Sequence, residues 1–273
     1  MRPVRDISLQ LSEMTNGRHR RIMHLLHQQN TLSVSQLAQL LKVSEVTVRK
    51  DLTELERQEL LYRVHGSAIL ANPYIKERHV DDKEKLHSEE KRAIGIYAAR
   101  LVEPCDTILI ASGTTTLALA RAIRGIEDLT AITTSLSVAT ALAENEGCTV
   151  IQLGGQLRSS SFSVVGPFAE QMLRQFSCSK LFFGVDGFDL RYGVTTTNLL
   201  GGHLAQKMIE AVQKVIVLVD SSKFGRRGFC KMCDVDQIDM VVTDDNIPPT
   251  VAGQLREKGI DVRIVMTKDP SGK

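Results

Sequence analysis

The sequence predicts a two-part α/β protein, with a small helical unit near the N-terminus and a larger unit built on a mostly parallel sheet. Three observations support this prediction. Short apolar patterns with helical spacing recur before residue 60, strand-like and helical segments alternate after Pro104, and a charged segment with little periodicity lies between them. We therefore divide the chain into a tail at 1–14, a first domain at 15–71, a linker at 72–89 and a second domain at 90–273.

The composition of the 273 residues is that of an ordinary globular protein, at 42% hydrophobic and 24% charged residues. No run of 18 apolar residues predicts a membrane span, and the first 14 residues lack the apolar core of a signal peptide. We therefore expect a cytoplasmic protein with no membrane partner. Residues 1–66 hold ten Lys/Arg against seven Asp/Glu, a mild basic bias compatible with a polyanionic partner.

The five cysteines are odd in number and irregular in spacing, which argues against a disulfide framework. Cys230 and Cys233 have C-x-x-C spacing, but neither a second pair nor a nearby His accompanies them. The pattern favours reduced thiols over a metal or redox site. We predict no metal and no cofactor.

Three helices are expected in the first domain. The first spans 17–29, and the second follows a break at 30–33 and is capped by Ser33 or Ser35. Ser44 caps the third helix. The inner face of that helix carries Val48, Leu52 and Leu55. A β-hairpin follows, formed by 61–64 and 68–70 around a turn at Gly66.

A tight turn joins the second and third helices, and two helices joined in this way can place the second in a DNA major groove, with the hairpin as a wing. Arg49 suits guanine or phosphate, Lys50 suits phosphate, and Asp51 is expected to pair with Arg49 or to cap. The predicted DNA contacts are Ser33, Ser44, Glu45, Thr47, Val48, Arg49, Lys50, Arg63 and His65. Periodicity alone also fits a three-helix bundle whose charged face is only solvated.

Residues 43–52 (VSEVTVRKDL), 55–56 (LE) and 61–68 (LYRVHGSA) carry a more specific pattern. They resemble the DeoR-type winged helix-turn-helix. Glu59 and Ser67 stand where that family usually has glycine, which affects turn geometry but removes no base-contacting residue. The resemblance implies a domain that binds double-stranded operator DNA.

Strand and helix alternate through the second domain, after a helix that starts near Ser88, and this alternation predicts a parallel α/β sheet. The predicted strands are 107–111, 130–134, 149–153, 180–185, 215–219, 240–243 and 261–265. The predicted helices are 115–124, 136–145, 167–176, 203–213 and 250–258.

The segment from Ser112 to Thr116 follows the first of these strands and opens a helix. Ser112 and Gly113 allow close approach of a ligand to the backbone, and the helix N-terminus offers amide hydrogens to an anion. Hydroxyls are offered by Thr114, Thr115 and Thr116. The pattern is typical of a phosphate site without a lysine, although a helix cap after a core strand also fits it.

Polar residues also follow the later strands, at the edge where ligands gather in open α/β sheets. Amides, hydroxyls, Arg158 and Lys223 suit a phosphate, and carboxylates suit sugar hydroxyls. The further residues expected at this ligand site are Thr134, Ser135, Gly154, Gly155, Arg158, Asp186, Gly187, Asp189, Thr196, Asn198 and Lys223.

Six short motifs (SGTTT, GGQLR, VGP, GVDG, TTTN and DSSKFG) make residues 90–250 similar to the DeoR-type sensor domain. The resemblance implies a mostly parallel fold like that of ribose-5-phosphate isomerase and the CoA transferases, and a phosphorylated sugar as effector. It implies that 112–116 is the phosphate loop and that Asp186 and Lys223 face the sugar. Gly201 replaces a glutamate usual in the family, so ligand choice is altered, or Asp189 or His203 compensates.

Two function classes fit these residues. One is a repressor of a carbohydrate catabolic operon that a phosphorylated sugar releases from its operator, acting as a homodimer or homotetramer and lying on the nucleoid when bound to DNA. The other is an isomerase-like enzyme with an accessory DNA-binding module, in which Asp186, Asp189 and Lys223 serve the chemistry. A fold does not imply its enzyme, and a winged helix has no use in a small isomerase. We favour the regulator, without catalytic residues.

Overall fold

The computed structural model describes residues 16–29, 31–57, 60–64, 67–70 and 79–267, and among them only the backbone at 27–29, 31, 57, 62–64, 67, 69 and 70. Contacts divide the chain into two units, Met1–Ile75 and Lys76–Lys273. The predicted N-terminal tail lies outside the described residues. No described helix is long and apolar enough to cross a membrane.

The first unit contains the three predicted helices and the predicted hairpin. Its elements are α1 (Gly17–Gln29), β1 (Thr31–Ser33), α2 (Val34–Leu41), α3 (Glu45–Arg57), β2 (Leu61–Val64) and β3 (Ser67–Leu70). The short strand β1, which falls in the predicted helix break, pairs antiparallel with β3 and extends the hairpin to three strands in the order β1-β3-β2. Helices and wing are therefore joined through one small sheet.

The core of the first unit is formed by apolar residues at helical spacing together with residues of the small sheet. Its buried members are Ile22, Met23, Leu26, Leu32, Val34, Leu37, Val48, Leu52, Leu55, Leu61 and Ala68. Val48 is 0% exposed, so its side chain cannot reach a base edge, and its predicted DNA contact is wrong. The spacing of Val48, Leu52 and Leu55 already places Val48 on the inner face of α3, as the core prediction had it.

The second unit is built on a seven-stranded parallel sheet, and its strands coincide with the seven predicted ones. They are β4 (Thr107–Ile110), β5 (Leu129–Thr133), β6 (Cys148–Gln152), β9 (Cys178–Gly184), β12 (Val212–Leu218), β14 (Met240–Asp244) and β15 (Asp261–Val265). All six pairings are parallel, in the order β15-β14-β12-β9-β4-β5-β6.

Helices cover both faces of this sheet. Its major helices are α5 (Ser88–Ala99), α6 (Thr114–Ala122), α7 (Leu136–Ala143), α8 (Pro167–Leu173), α9 (Leu199–Glu210) and α10 (Pro249–Glu257). Residues of α5, α6 and α7 share one core with Ile108 and Ile110, and residues of α8, α9 and α10 share another with Leu109. Because neighbours along β4 point to opposite faces, the strand is buried on both sides.

The strand order defines where a ligand is expected to bind. From β4 the chain moves outward through β5 to β6, and it then returns to β9, directly beside β4, before moving outward through β12 to β15. The carboxyl ends of β4 and β9 therefore form a topological switch point, the usual ligand position in open α/β sheets. Ser112–Thr116 follows β4, and Asp186 follows β9.

Short antiparallel strands, which were not predicted, lie between the major elements. They are β7 (Gln156–Arg158), β8 (Ser163–Val165), β10 (Gly187–Asp189), β11 (Gly193–Thr196) and β13 (Cys230–Cys233). The strands β7 and β8 pair with each other, and β10, β11 and β13 form a three-stranded sheet.

Part of the predicted linker belongs to the second unit. Within it, Val80–Glu84 forms a short helix, α4. The amide of Val80 donates to the carbonyl oxygen of Ser160 at 2.7 Å, and Arg121 pairs with Glu84 at 2.5 Å. The linker prediction is therefore wrong for the described residues 79–89. The dense charge of this segment gave no helical pattern in the sequence. In the fold, the side chains of Lys83 and Glu84 form ion pairs with residues of the second unit.

Candidate functional site

The recognition-helix region is shaped by two serine caps. Ser33 forms a capping box with Gln36 at the start of α2, where the Ser33 amide donates to Gln36 Oε1 at 2.8 Å and the Gln36 amide donates to Ser33 Oγ at 3.1 Å. Ser44 accepts a hydrogen bond from the Thr47 amide at 3.2 Å at the start of α3. Lys42, at φ 56°, makes the left-handed turn between the two helices. Both predicted caps are present, and they fix the angle at which α3 leaves α2.

The first turns of α3 present a charged outer face. Glu45, Arg49 and Lys50 are exposed, and Arg49 pairs with Glu45 at 3.1 Å. Val46 is 64% exposed at the start of the same helix, although sequence reasoning did not single it out. An exposed apolar side chain there suits contact with a thymine methyl group. For Arg63 only the backbone is described, and His65 lies outside the described residues.

Asp51 turns away from this face, and its predicted pairing with Arg49 is wrong. It is 5% exposed and accepts hydrogen bonds from Arg18 at 2.5 and 2.8 Å, with His19 at 3.1 Å. Burial raises the pKa of Asp51, but the bonds from Arg18 and His19 outweigh it and hold the pKa below its usual value. Asp51 thus joins α1 to α3 and is not a DNA contact.

In the second unit, Asp186 lies at the switch point and gathers donors from three directions. Its Oδ1 accepts from Lys83 Nζ at 2.7 Å. Its Oδ2 accepts from Thr196 Oγ1 at 3.1 Å and from the amide and hydroxyl of Thr197 at 3.0 and 3.2 Å. Burial raises the pKa of Asp186, but Lys83 and the Thr197 amide outweigh it, with a smaller part from Lys223, so the net pKa is lowered and the carboxylate stays ionised.

Lys83 and Lys91 were both missed in the sequence, and Lys91 is the more deeply buried of the two. It is 6% exposed, and its Nζ donates to the carbonyl oxygens of Lys83 and Leu86, both at 2.5 Å. Burial, with smaller effects from Lys223 and Lys83, lowers its pKa to about 8, against the opposing attraction of Asp220. A buried lysine at a switch point is a functional-site signal that only the folded structure supplies.

Arg158 and Lys223 interact electrostatically with the same group of residues. Lys223 acts on both Asp186 and Lys91, and its Nζ lies 4.0 Å from Asp220 Oδ2. Burial lowers the pKa of Arg158, while Asp186 raises it. Four cationic side chains (those of Lys83, Lys91, Arg158 and Lys223) thus act on the carboxylates Asp186 and Asp220, which leaves a net positive charge when all are ionised.

The predicted phosphate loop opens α6 as expected, but its threonines do not all face outward. Ser112, Gly113 and Thr114 are partly exposed, whereas Thr115 and Thr116 are buried. The Thr116 hydroxyl donates to the Gly113 carbonyl oxygen at 2.9 Å and so stabilises the loop itself. The amides of the first turn of α6, and not the Thr116 hydroxyl, are the groups available to an anion.

Several predicted ligand residues are buried or cap a helix. Thr134 and Ser135 are 2% and 3% exposed, and Ser135 caps α7 by accepting from the Val138 amide at 3.3 Å. Asn198 caps α9 by accepting from the Gly201 amide at 2.8 Å. Capping the next helix is the common alternative role of a polar residue at the end of a strand.

Asp189 is also used locally. It accepts hydrogen bonds from the amides of Arg191 and Tyr192 at 2.9 and 2.8 Å and from Arg227 Nε at 2.8 Å, so it closes the β10–β11 turn. It therefore does not supply the carboxylate that Gly201 lacks. His203 is exposed on α9.

The predicted glycines serve close packing. A Cβ at Gly187 would lie 2.6 Å from the Arg226 carbonyl oxygen, and one at Gly155 would lie 2.8 Å from that of Val165. Gly154 and Gly155 line a shallow pocket beside Phe168 and Met172 of α8. Gly155 allows close approach of the backbone at Val165, and a Cβ at Gly154 would lie 3.4 Å from Met172 Sδ.

Among the residues that the structure describes, no group of three or more His, Cys, Asp or Glu side chains is placed to hold a metal ion. Cys230 and Cys233 lie on β13 as free thiols. Burial raises the pKa of Cys233 to about 12, which keeps it protonated and unreactive.

Comparison with known proteins agrees with both units. Residues 18–73 match the family model of the DeoR-like helix-turn-helix domain, and residues 86–245 match that of the DeoR C-terminal sensor domain. Among solved structures, a ribose 5-phosphate isomerase from Plasmodium falciparum is similar at a TM-score of 0.38 and 16% identity, over 51% of this chain and 53% of that one.

Three curated relatives align over nearly the whole chain. A protein of Escherichia coli O157:H7 named for repression of the aga operon is 38% identical, over 92% of this chain and 94% of its own. The transcriptional repressor GlcR of Bacillus subtilis is 32% identical, over 92% and 96%, and the glycerol-3-phosphate regulon repressor of Escherichia coli K12 is 30% identical, over 90% and 98%. These relatives are regulators of transcription and not enzymes. The chain belongs to the DeoR family of DNA-binding transcriptional regulators.

Proposed function

We propose that this regulator represses a carbohydrate operon and leaves its operator when a phosphorylated sugar binds at the switch point of the second unit. The observation that carries the proposal is the cluster around Asp186, where four cations act on two carboxylates beside the N-terminus of α6. A phosphate monoester matches the positive excess and the helix N-terminus, and Asp186 matches a sugar hydroxyl.

The ligand contacts that we retain are fewer than those predicted from sequence. The phosphate would meet the amides of 112–116 together with Lys223, Arg158 and Lys83, while the buried Lys91 would add positive charge without direct contact. Thr196 would act through Asp186, which it already contacts at 3.1 Å. Operator DNA would meet the exposed side of α3, through Ser44, Glu45, Thr47, Arg49 and Lys50, and the wing.

Repeated or inverted operator half-sites need two recognition helices, so we propose a homodimer or homotetramer that works on the nucleoid in the bacterial cytoplasm. Ligand binding would weaken operator affinity only through a difference in affinity between two arrangements of the assembly. The isomerase alternative is not retained, since the relatives that match over nine-tenths of the chain are regulators.

The DNA-binding assignment is tested with Arg49→Ala, measured by titration of the purified variant on the genomic DNA fragment that the wild type binds most tightly. Loss of a base or phosphate contact by an exposed arginine is expected to weaken operator binding by about 1–3 kcal/mol, or roughly 5- to 150-fold. Arg100→Ala removes the same charge from an exposed position in the second unit and is the matched control. Equal affinities of the two variants would reject the role of Arg49.

The ligand class is tested by thermal shift of the full chain with glucose 6-phosphate, galactosamine 6-phosphate and glycerol 3-phosphate, each paired with its unphosphorylated parent. At least one phosphate ester is expected to raise Tm and to release operator DNA, while its parent does neither. Lys223→Gln should remove both effects. Equal responses to ester and parent, or no response to any ester, would reject the phosphorylated-sugar assignment.

A further inference from the structure

The short helix α4 (Val80–Glu84) connects the ligand cluster to the part of the chain that leads to the first unit. Only residues 71–78 separate the end of β3 from His79, which directly precedes α4. A helix of five residues has little stability of its own, so its order depends on tertiary contacts. Any ligand that changes those contacts changes the anchoring of this segment.

Four contacts hold α4 against the second unit. Two lie away from the cluster: the Val80 amide bonds the Ser160 carbonyl oxygen at 2.7 Å, and Glu84 pairs with Arg121 at 2.5 Å. The other two meet the cluster through Lys83, whose Nζ lies 2.7 Å from Asp186 Oδ1 and whose carbonyl oxygen accepts from Lys91 Nζ. Two of these four polar contacts therefore depend on residues of the Asp186 cluster.

The geometry of Asp186 brings a phosphate-bearing ligand into competition for Lys83. Asp186 Oδ2 already accepts hydrogen bonds from Thr196 and from both donors of Thr197, and Oδ1 accepts one from Lys83. A ligand hydroxyl that binds the second lone pair of Oδ1 lies beside the Lys83 ammonium group. A ligand phosphate attracts the same ammonium group, which is 33% exposed and can turn toward it.

We propose that Lys83 is the ligand-responsive anchor of α4, because a phosphate-bearing ligand at the switch point takes over Lys83 from Asp186 and so changes the hold of α4 on the sheet. The ligand-binding half of this inference rests on the proposed function. The ion-pair half does not, since it concerns the protein without ligand. Lys83 thereby becomes the residue through which an occupied site acts on the segment leading to the DNA-binding unit.

Hydrogen–deuterium exchange of the full-length protein tests the inference, because backbone bonds of α4 report on its order. The amides of Asp82 and Lys83 both donate to the His79 carbonyl oxygen at 3.1 Å. Inorganic phosphate serves as the first probe and glucose 6-phosphate as the second. In the wild type, either probe is expected to protect 112–116 and to change exchange over 80–87 at the same concentration.

Lys83→Met should bind the probes at least about tenfold more weakly, the usual cost of a lost charge-assisted hydrogen bond. At saturation it should still protect 112–116, while 80–87 no longer responds. Lys85→Met removes the same charge from an exposed position just after α4 and should behave as the wild type. Identical affinity and identical 80–87 response in the two variants would overturn the role of Lys83.

Two further outcomes separate this inference from the proposed function. Without any probe, Asp186→Asn should increase exchange over 80–87, since the ion pair is lost, and unchanged exchange would overturn the anchor itself. If both probes protect 112–116 in the wild type while 80–87 stays unchanged, the ligand site stands and the anchor fails. If neither probe protects 112–116, the ligand site fails and takes the ligand-dependent half with it.

Discussion

Lys91 offers a quantitative test of the charge arrangement at the switch point. Its pKa is about 8 in the folded protein, against 10.5 for an ordinary lysine. Between these pH values the folded protein has released a proton that the unfolded chain still binds. Because the unfolded state then holds more protons, the free energy of unfolding rises with pH between about 8 and 10.5. Below about pH 8, Lys91 is protonated in both states and adds no pH dependence.

The size of the effect follows from the shift. At 1.36 kcal/mol per pKa unit, Lys91 contributes about 3 kcal/mol across the whole window and about 2 kcal/mol by pH 9.5. Burial raises the pKa of the Cys178 and Cys233 thiols to about 11 and about 12, so both weaken the fold above pH 9. These thiols act alike in wild type and variant, and a difference between the two proteins isolates Lys91.

The perturbation is Lys91→Met, which keeps an unbranched side chain one atom shorter and removes the ammonium. Urea unfolding of both proteins at pH 7.0 and pH 9.5 gives their difference in free energy of unfolding. We expect that difference to move by about 2 kcal/mol in favour of the wild type at the higher pH. The exposed Lys85→Met is the control, with no such change. A change below about 0.5 kcal/mol, or of opposite sign, would refute the assignment of a neutralised buried lysine.

Three further predictions concern packing and hydrogen bonding. Asp51→Asn should destabilise the first unit by about 1–3 kcal/mol, because the ion pair with Arg18 is lost. In the wild type the same stabilisation should be lost as pH falls below about 4, where the carboxylate becomes protonated. Melting curves of both proteins at pH 3 and pH 7 would show both effects. Gly202→Ala should cost about 1–3 kcal/mol because its Cβ would lie 2.4 Å from Cys230 Sγ, and Cys230→Ala should restore most of the loss in urea unfolding. Thr116→Val should cost about 0.5–1.5 kcal/mol in the same assay, since the Gly113 carbonyl oxygen loses the hydroxyl bond and keeps only the one from the Leu117 amide. An unchanged midpoint would contradict that role.

The parallel sheet was predictable because its strands are buried on both faces. Runs such as Ile108–Ile110 and Val215–Leu218 are continuously apolar, and each ends at turn residues. The antiparallel strands were not predictable. Segments such as Gln156–Arg158 and Cys230–Cys233 are three or four residues long, mix polar and apolar side chains, and exist through pairing with distant partners.

The sequence predicts those members of the candidate ligand site that follow strands, and it misses those that other elements supply. Asp186 and Lys223 follow β9 and β12, so alternation of strand and helix places them at one edge. Lys83 and Lys91 come from α4 and α5, before the first strand of the sheet. Nothing in their spacing indicates that Lys91 is buried or that Lys83 pairs with Asp186. A strand-end position also cannot distinguish a ligand contact from a helix cap, which is why Ser135 was misassigned.

Gly201 gains a physical meaning from its surroundings. The Nη1 atom of Arg158 lies 3.2 Å from the position that a Cβ at residue 201 would occupy. A glutamate side chain there would have to displace the guanidinium or pair with it, and either result would remove one cation from the balance around Asp186. Glycine keeps that charge at the switch point. Without a glutamate at residue 201, this edge of the sheet is more positive. A ligand that brings negative charge or carbonyl oxygens to Arg158 is therefore favoured.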